Sequence, residues 1–280
     1  MTRRVAREAV GRAIRWSGAP WVVRHTIARG RVGIVLYHDP SPATMERHLA
    51  YLAPRFDLIS LDRLVEVVRS GDWSSINRPT LVITIDDGHR GNLALRPVFE
   101  KFGVVPTLYV CPEISAGDGV FWFALPGVDP EPLKLVDDDS RLALVAAHPR
   151  PPRQALTPDE VRTIAADFDV QSHTLSHPIL PRTSDEKCSH EVIDSRTATE
   201  GLTGKPCTHF SFPNGDYGDR ELEFVAAAGY ASARTADIGW NGPGTDPYRL
   251  KIVAIADHAS ADLLAAHLSG LLRVKRLLAR

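Results

Sequence analysis

The sequence predicts an α/β fold built on a parallel sheet, and three observations carry that expectation. Seven short runs rich in apolar and β-branched residues alternate with helical patterns along the 280 residues. One of them, Leu81 to Ile85, is apolar or β-branched throughout, as suits a strand covered on both faces. That run then stops on Asp86, Asp87 and Gly88, and strand C-terminal ends are where an α/β protein gathers its site. An incomplete βα barrel and an open doubly wound sheet both satisfy this alternation.

Taken in order, residues 4–16 fit a helix with Val5, Ala6, Ala9, Val10, Ala13 and Ile14 on one face and Arg4, Arg12 and Arg15 opposite. Gly33–His38 reads as the first strand. Ser41-Pro42 then offers an N-cap with proline at N1, opening a helix to about Leu52. Leu61–Val68 is a second short helix. After the strand at Leu81, residues 92–102 are helical and Pro106–Cys111 is the third strand. Residues 112–156 break the rhythm with Phe121-Trp122-Phe123, the acidic run Asp137–Asp139 and the prolines 149–152. They read as an insertion with one short helix near 140–147, its acidic run simply solvated. Thr157-Pro158-Asp159-Glu160 is a capping box for the next helix. Phe168–Ser172, Thr208–Phe212, Tyr230–Arg234 and Tyr248–Ile255 complete the strands. Helices are expected at 184–202, at 219–228 and from Leu263 to Arg280, the last with Leu264, Leu268, Leu271 and Leu278 opposing Arg273 and Arg276. This divides the chain into a basic amphipathic segment (1–31), a main α/β domain (32–258) with the insertion at about 112–156, and a C-terminal basic helix (259–280).

The net charge of −1 conceals a segregation. Residues 1–31 carry eight arginines and one glutamate, and residues 271–280 carry four basic residues and no acid, which leaves the stretch between them at −12. Basic amphipathic ends with Trp16 and Trp21 nearby suit contact with an anionic membrane surface; the plain alternative is two helices that close one end of the domain. The N-terminus has arginines but no continuous apolar core or cleavage site, and no run of eighteen apolar residues exists. The expected location is cytoplasmic, with peripheral contact at the inner face of the membrane. Cys111, Cys188 and Cys207 are odd in number and lack metal-type spacing, so reduced core thiols are expected. No phosphate loop, nucleophile elbow or nucleic-acid motif occurs.

Two adjacent carboxylates are too costly to bury unpaired, so Asp86 and Asp87 call for a metal, a cation or an open site. An Asp-Asp-Gly alone would equally serve as a strand-end cap. Downstream, His173 and His177 stand four apart just past a strand; a helical turn there would put both imidazoles on one face. Two histidines and one carboxylate leave positions open for water, which suits zinc or another divalent metal in hydrolysis, with the remaining Asp as base.

These residues make the sequence resemble the polysaccharide deacetylases of the NodB-homology group, carbohydrate esterase family 4. The family's T-F-D-D-G stands as Thr84-Ile85-Asp86-Asp87-Gly88, and its H-[ST]-x-x-H as His173-Thr174-Leu175-Ser176-His177. The likeness runs from about Gly33 to Ala254 and includes Tyr37-His38 and Phe212-Pro213-Asn214-Gly215. It implies a distorted (β/α)7-type barrel and a divalent metal, Zn2+ by preference, on Asp87, His173 and His177. It further implies Asp86 as catalytic base, the Asn214 backbone amide as oxyanion donor, and an N-acetylated saccharide as substrate. Two positions depart from the family pattern. The slot of its orienting arginine holds Ser211, and the histidine expected near the last strand has no clean equivalent in Val253–His258, where His258 is the candidate acid. His38 and Pro213 are expected to line the substrate site, and Trp122 and Trp240 to stack on sugar rings, against the alternative that Trp122 plugs the core. Two rival readings stay open: an inactive glycan-binding protein on the same scaffold, and a related C–N hydrolase for a non-sugar amide or cyclic imide.

Overall fold

The computed structural model describes residues 3–272 and closes the expected sheet into a barrel. Its strands are β1 (Val32–Tyr37), β2 (Asp57–Leu58), β3 (Thr80–Ile85), β4 (Thr107–Val110), β5 (Asp169–Ser172), β6 (His209–Ser211), β7 (Ser232–Ile238) and β8 (Leu250–Ala254). Neighbours run parallel in the order β1-β8-β7-β6-β5-β4-β3, and β3 pairs with β1 over its whole length, from Val32 opposite Thr80 to Tyr37 opposite Ile85. That pairing closes a ring of seven strands and rules out the open sheet. The two-residue β2, absent from the sequence reading, fills the N-terminal half of the free edge of β3, while β4 takes the C-terminal half. β7 also runs beyond its expected end at Arg234, to Ile238.

Every residue of β1 and β3 is buried, because the ring is packed on both sides. Outside, Val35, Tyr37, Ile83 and Ile85 meet Met45 and Leu49 of the helix Pro42–Leu52 and Leu264 of the helix Ala261–Leu268. Inside, Ile34, Leu36, Val82, Tyr109 and Ile252 meet Leu61 and Leu64 of the helix Leu61–Ser70. That helix spans the N-terminal opening of the ring: Asp62 reaches His209 Nε2 of β6 at 2.8 Å, and Arg69 donates to the Ala231 carbonyl ahead of β7 at 3.0 Å. One end of the barrel is thereby plugged and the C-terminal end stays open.

The caps read from the sequence are present. Ser41 accepts from the Thr44 amide, and the Thr157–Glu160 capping box has both of its bonds. Such a cap contributes about 1 kcal/mol and fixes where the helix begins. The acidic run is not merely solvated: Asp137 caps the helix Asp138–Ala146, and Asp138 is buried in an ion pair with Arg141.

The terminal segments differ most from expectation. The helix Arg3–Trp16 packs on the helix Ala261–Leu268, but through Glu8, Gly11 and Arg15 rather than its apolar stripe. A Cβ on Gly11 would stand 2.9 Å from the end of the Leu263 side chain, so any larger residue would require that side chain to shift. Arg12 and Arg15 both engage Asp262. The apolar stripe therefore faces outward. A second helix, Ala19–His25, follows. The last helix stops at Leu268, and Gly270 has φ 70°; Arg273, Arg276 and Leu278 lie outside the described residues.

Candidate active site

The site stands at the open end of the barrel, where β3 delivers its acids. The Asp86 amide donates to the Tyr37 carbonyl at 2.9 Å, which carries the β1–β3 ladder one residue beyond the strand. Asp87 (φ 72°) and Gly88 (φ 73°) then turn the chain sharply. A Cβ on Gly88 would lie 3.0 Å from Val110 of β4, so glycine serves there for room as well as for conformation.

His173 and His177 come together by a different route from the expected helix. The segment after β5 is a loop, with Thr174 at φ 68° and His177 at φ 57°. The Thr174 hydroxyl accepts from the His177 amide at 3.0 Å, and buried Glu191 accepts from the amides of Leu175 and Ser176 at 2.9 Å each. Lys187 pairs with Glu191 from the same helix at 2.9 Å. The turn is thus tied down by a carboxylate, and the two rings stand 4.9 Å apart. Glu191 gives no signal in the sequence beyond being one acid among many on a polar helix.

Asp87, His173 and His177 present one carboxylate oxygen and two ring nitrogens within 4.8 Å of one another, all buried. Asp87 Oδ1 lies 3.4 Å from His173 Nε2 and 3.3 Å from His177 Nε2. His173 Nδ1 faces the Ser211 carbonyl at 2.8 Å, and a carbonyl only accepts, so Nδ1 carries the proton. In its neutral form the ring aims its Nε2 lone pair at a carboxylate oxygen, and a cation between the two would satisfy both, so the donor set fits a divalent metal.

The charge states agree with that fit. Burial alone would raise the Asp87 carboxyl, but His173, His177 and His89 around it hold it well below the usual carboxylate range. Burial lowers the His177 imidazole, with Asp87 opposing. An ionised carboxylate and a neutral imidazole are the forms that bind metal. His89, two residues past Asp87, places Nε2 at 3.3 Å from the second oxygen of Asp87 and rests on Phe121. Burial would lower its pKa, and Asp87 raises it beyond that loss. A histidine next to the Asp-Asp-Gly turn was the available clue to this support.

Asp86 is held by Arg234. This β7 guanidinium is almost wholly buried and bonds both Asp86 Oδ2 and the Ser211 hydroxyl. It also lies over the Tyr109 ring, 5.4 Å from the centroid. Ser211 and Arg234 are register partners on adjacent strands. The arginine absent from the β6 slot thus has a counterpart one strand over. Asp86 Oδ1 has no hydrogen-bond partner among the described residues.

The cleft above these groups measures about 350 Å³. Of the expected residues, His38, Trp122 and Asn214 line it with Asp86, Asp87, His173 and His177. Asn214 sits at φ 55°, and the four residues with positive φ other than glycine among those described all belong to this site. Trp122 is 5% exposed, and its indole donates to the His177 carbonyl at 2.8 Å, which makes it a brace as well as a wall. Phe123, Pro130 and Lys134 of the insertion complete that wall and were not anticipated.

Three expected residues are not brought to the cleft. Pro213 is buried in the turn that presents Asn214. Trp240 lies beyond β7, where the chain doubles back to pair Asn241 with Val32; its ring sits against Gly33. His258 is exposed and outside the cleft, whereas its neighbour Asp257 accepts the amides of His38 at 3.0 Å and Asp39 at 2.9 Å. Asp257 ties the end of β8 to the end of β1.

Comparison with known proteins agrees with this geometry. No curated protein sequence matches the chain. Among solved structures, the Streptococcus pyogenes deacetylase PplD in complex with acetate superposes with a TM-score of 0.65 at 15% identity, over 85% of this chain and 98% of that one. IcaB from Ammonifex degensii gives 0.65 at 15% identity, over 85% and 97%. A polysaccharide deacetylase from Bacillus cereus gives 0.60 at 20% identity, over 85% and 69%. These likenesses establish the fold. The polysaccharide deacetylase family profile matches residues 74–233, more than half of the chain, from just before β3 into β7. On that match the chain belongs to the polysaccharide deacetylase family and is an enzyme of that class.

Proposed function

We propose that the protein hydrolyses the N-acetyl group of an amino sugar or glycan, with Asp86 as base and with a divalent cation, zinc by preference, on Asp87, His173 and His177. The observation that carries this reading is the buried carboxylate–imidazole–imidazole set beside an unpartnered carboxylate oxygen. When bound, the cation supplies Lewis-acid polarisation and makes water acidic enough to yield a proton near neutral pH. Asp86 Oδ1 takes that proton while Arg234 fixes the carboxylate through Oδ2. Water that has given its proton to Asp86 would add to the acetamide carbon, and the Asn214 amide, presented by its left-handed turn, would donate to the oxygen as it gains charge. The C–N bond then breaks, acetate forms, and the nitrogen leaves as the amine after gaining a proton.

That last proton needs a donor. Among titratable groups lining the cleft, Asp86 is the base, three residues form the cation seat and Arg234 is committed to Asp86. Lys134 pairs with Glu131 at 2.6 Å. His38 at the end of β1 remains, and we assign it the acid role in place of His258. His38→Gln is expected to slow release from acetamides by about a hundredfold. An aryl acetate, whose leaving group needs no proton, should lose far less. Equal losses on both would remove His38 from the acid role.

Acetate release across a panel of N-acetylated saccharides, with and without a chelator, tests the function itself. Chelator-sensitive release from a saccharide is the expected result. Stoichiometric saccharide binding without release would favour the inactive glycan-binding reading, and release only from non-sugar amides or cyclic imides the third.

A further inference from the structure

The barrel end opposite the cleft carries a second concavity, of about 470 Å³, lined by Trp21, Arg24, His25, Arg29, Arg55 and Arg78. Its position follows from the strands. Arg78 stands two residues before β3, Arg29 three before β1 and Arg55 two before β2, all at N-terminal strand ends. Among the described residues, only Arg78 of the four arginines has a carboxylate partner, Asp57 at 3.0 Å. Arg55 donates to the Tyr51 carbonyl at 2.9 Å and lies on the Tyr51 ring. Arg24 lies over Phe56. Arg29 has no hydrogen bond or ion pair among the described residues. Four guanidiniums therefore open on one hollow with a single acid among them, a strong anion-attracting arrangement.

The same segment exposes apolar surface that a water-facing protein would ordinarily cover. Trp21 is 58% exposed, Val22 50% and Ile27 52%. Trp21 stacks on His25, whose ring bonds the Trp21 carbonyl at 2.7 Å. On the preceding helix, Trp16 is 76% exposed, and Val5, Ala6, Ala9, Val10 and Ala13 also face outward, because Glu8, Gly11 and Arg15 took the packing side. A free phosphate would account for the arginines but not for the apolar surface. A purely apolar partner would leave the arginines without partners. Indole rings and aliphatic side chains beside phosphate-binding guanidiniums match the interfacial layer of a bilayer, with headgroups at one depth and acyl chains just below.

We infer that this face docks the protein on an anionic phospholipid bilayer, headgroup phosphates entering the Arg24–Arg29–Arg55–Arg78 hollow and Trp21, Val22 and Ile27 entering the interfacial layer. The inference goes beyond the deacetylase reading and does not depend on it. It also relocates the contact read from the sequence: Arg12 and Arg15 are engaged with Asp262, and the hollow lies below the helix Ala19–His25 instead.

The test is co-sedimentation of the full chain with phosphatidylcholine vesicles, with and without phosphatidylglycerol. Binding is expected only with the anionic lipid and should weaken steeply with salt. Arg24→Glu with Arg29→Glu should weaken it at least tenfold while acetate release in solution is unchanged. Trp21→Ser should weaken it several-fold, and brominated phosphatidylglycerol should quench the wild-type fluorescence more than that of Trp21→Phe. The tryptophan variants keep the test decisive should the double charge reversal fail to fold. Any of four results would overturn the inference: no vesicle binding; equal binding to both vesicle types; wild-type binding by the folded charge-reversed variant; or inorganic phosphate occupying the hollow with no vesicle affinity. Burial of this face in a dimer that excludes vesicles would overturn it as well.

Discussion

The two ends of the barrel treat charge in opposite ways. At the open end the carboxylates are buried and held at close range: Arg234 pairs with Asp86, Lys187 with Glu191, and two histidine ring nitrogens stand 3.3 and 3.4 Å from Asp87. At the plugged end only Arg78 of the four arginines has a carboxylate partner among the described residues, and all four remain in reach of solvent. Burial makes a partner compulsory, since an unpaired charge in a dry site costs several kcal/mol, whereas a wet guanidinium needs none. The same residue type, arginine, is therefore bound into the fold at one end and left open to solvent at the other.

The largest effect that probes this contrast is loss of the proposed base. Asp86→Asn should lower kcat by about 10²–10⁴ while the protein still binds its cation, measured by acetate release together with metal analysis. Unchanged turnover would take the base role from Asp86. Next, the two classes of arginine can be set directly against each other in urea denaturation. Arg234→Met strands Asp86 without a counter-charge and should destabilise by about 3–5 kcal/mol. Arg29→Met at the other end should stay within about 0.5 kcal/mol of wild type. Similar losses at both ends would erase the distinction.

A smaller effect appears in pH dependence. A cation bound as proposed would compete with protons for the His177 nitrogen, and burial has pushed that imidazole below its ordinary value. Cation binding should therefore persist as pH falls through about 6.5, where an ordinary histidine titrates, and fail only at lower pH. Calorimetric titration of metal across pH checks this, and a midpoint above 6.5 would contradict it. The smallest effect is an absence of reaction. Burial pushes the Cys207 thiol up to about 12 and Cys188 up to about 11, so neither should react with a thiol reagent at pH 8 until the protein unfolds.

Sequence carried much of this unevenly. Strands were legible because a ring covered on both sides writes near-continuous apolar runs; only β2, two residues long, left no such trace. Asp86, Asp87, His173 and His177 were legible because their spacing is local. Arg234 was not, although it ended an expected strand, because its meaning depends on register. It faces Ser211 across two strands and reaches Asp86, 148 residues away in the chain. Trp240 misled for a related reason: a loop tryptophan looks like a ligand platform until the return of the chain to Val32 sets it against β1. The two histidines stand just past a strand, as read, but in a tight loop rather than the helical turn considered from the sequence, since a loop also brings residues four apart together.

The backbone at Asp87, Thr174, His177 and Asn214 bears on how such a site can change over time. Left-handed conformations suit few side chains, and here each one aims or supports a group in the cleft. Most substitutions at these turns would therefore cost folding and chemistry together, so the turns are poor places for variation to accumulate. The 112–156 insertion is under no such restraint where it offers Phe123, Pro130 and Lys134 to the cleft. A lineage exploring new saccharides would be expected to rewrite that wall while inheriting the turns intact, and a directed-evolution library has the same choice.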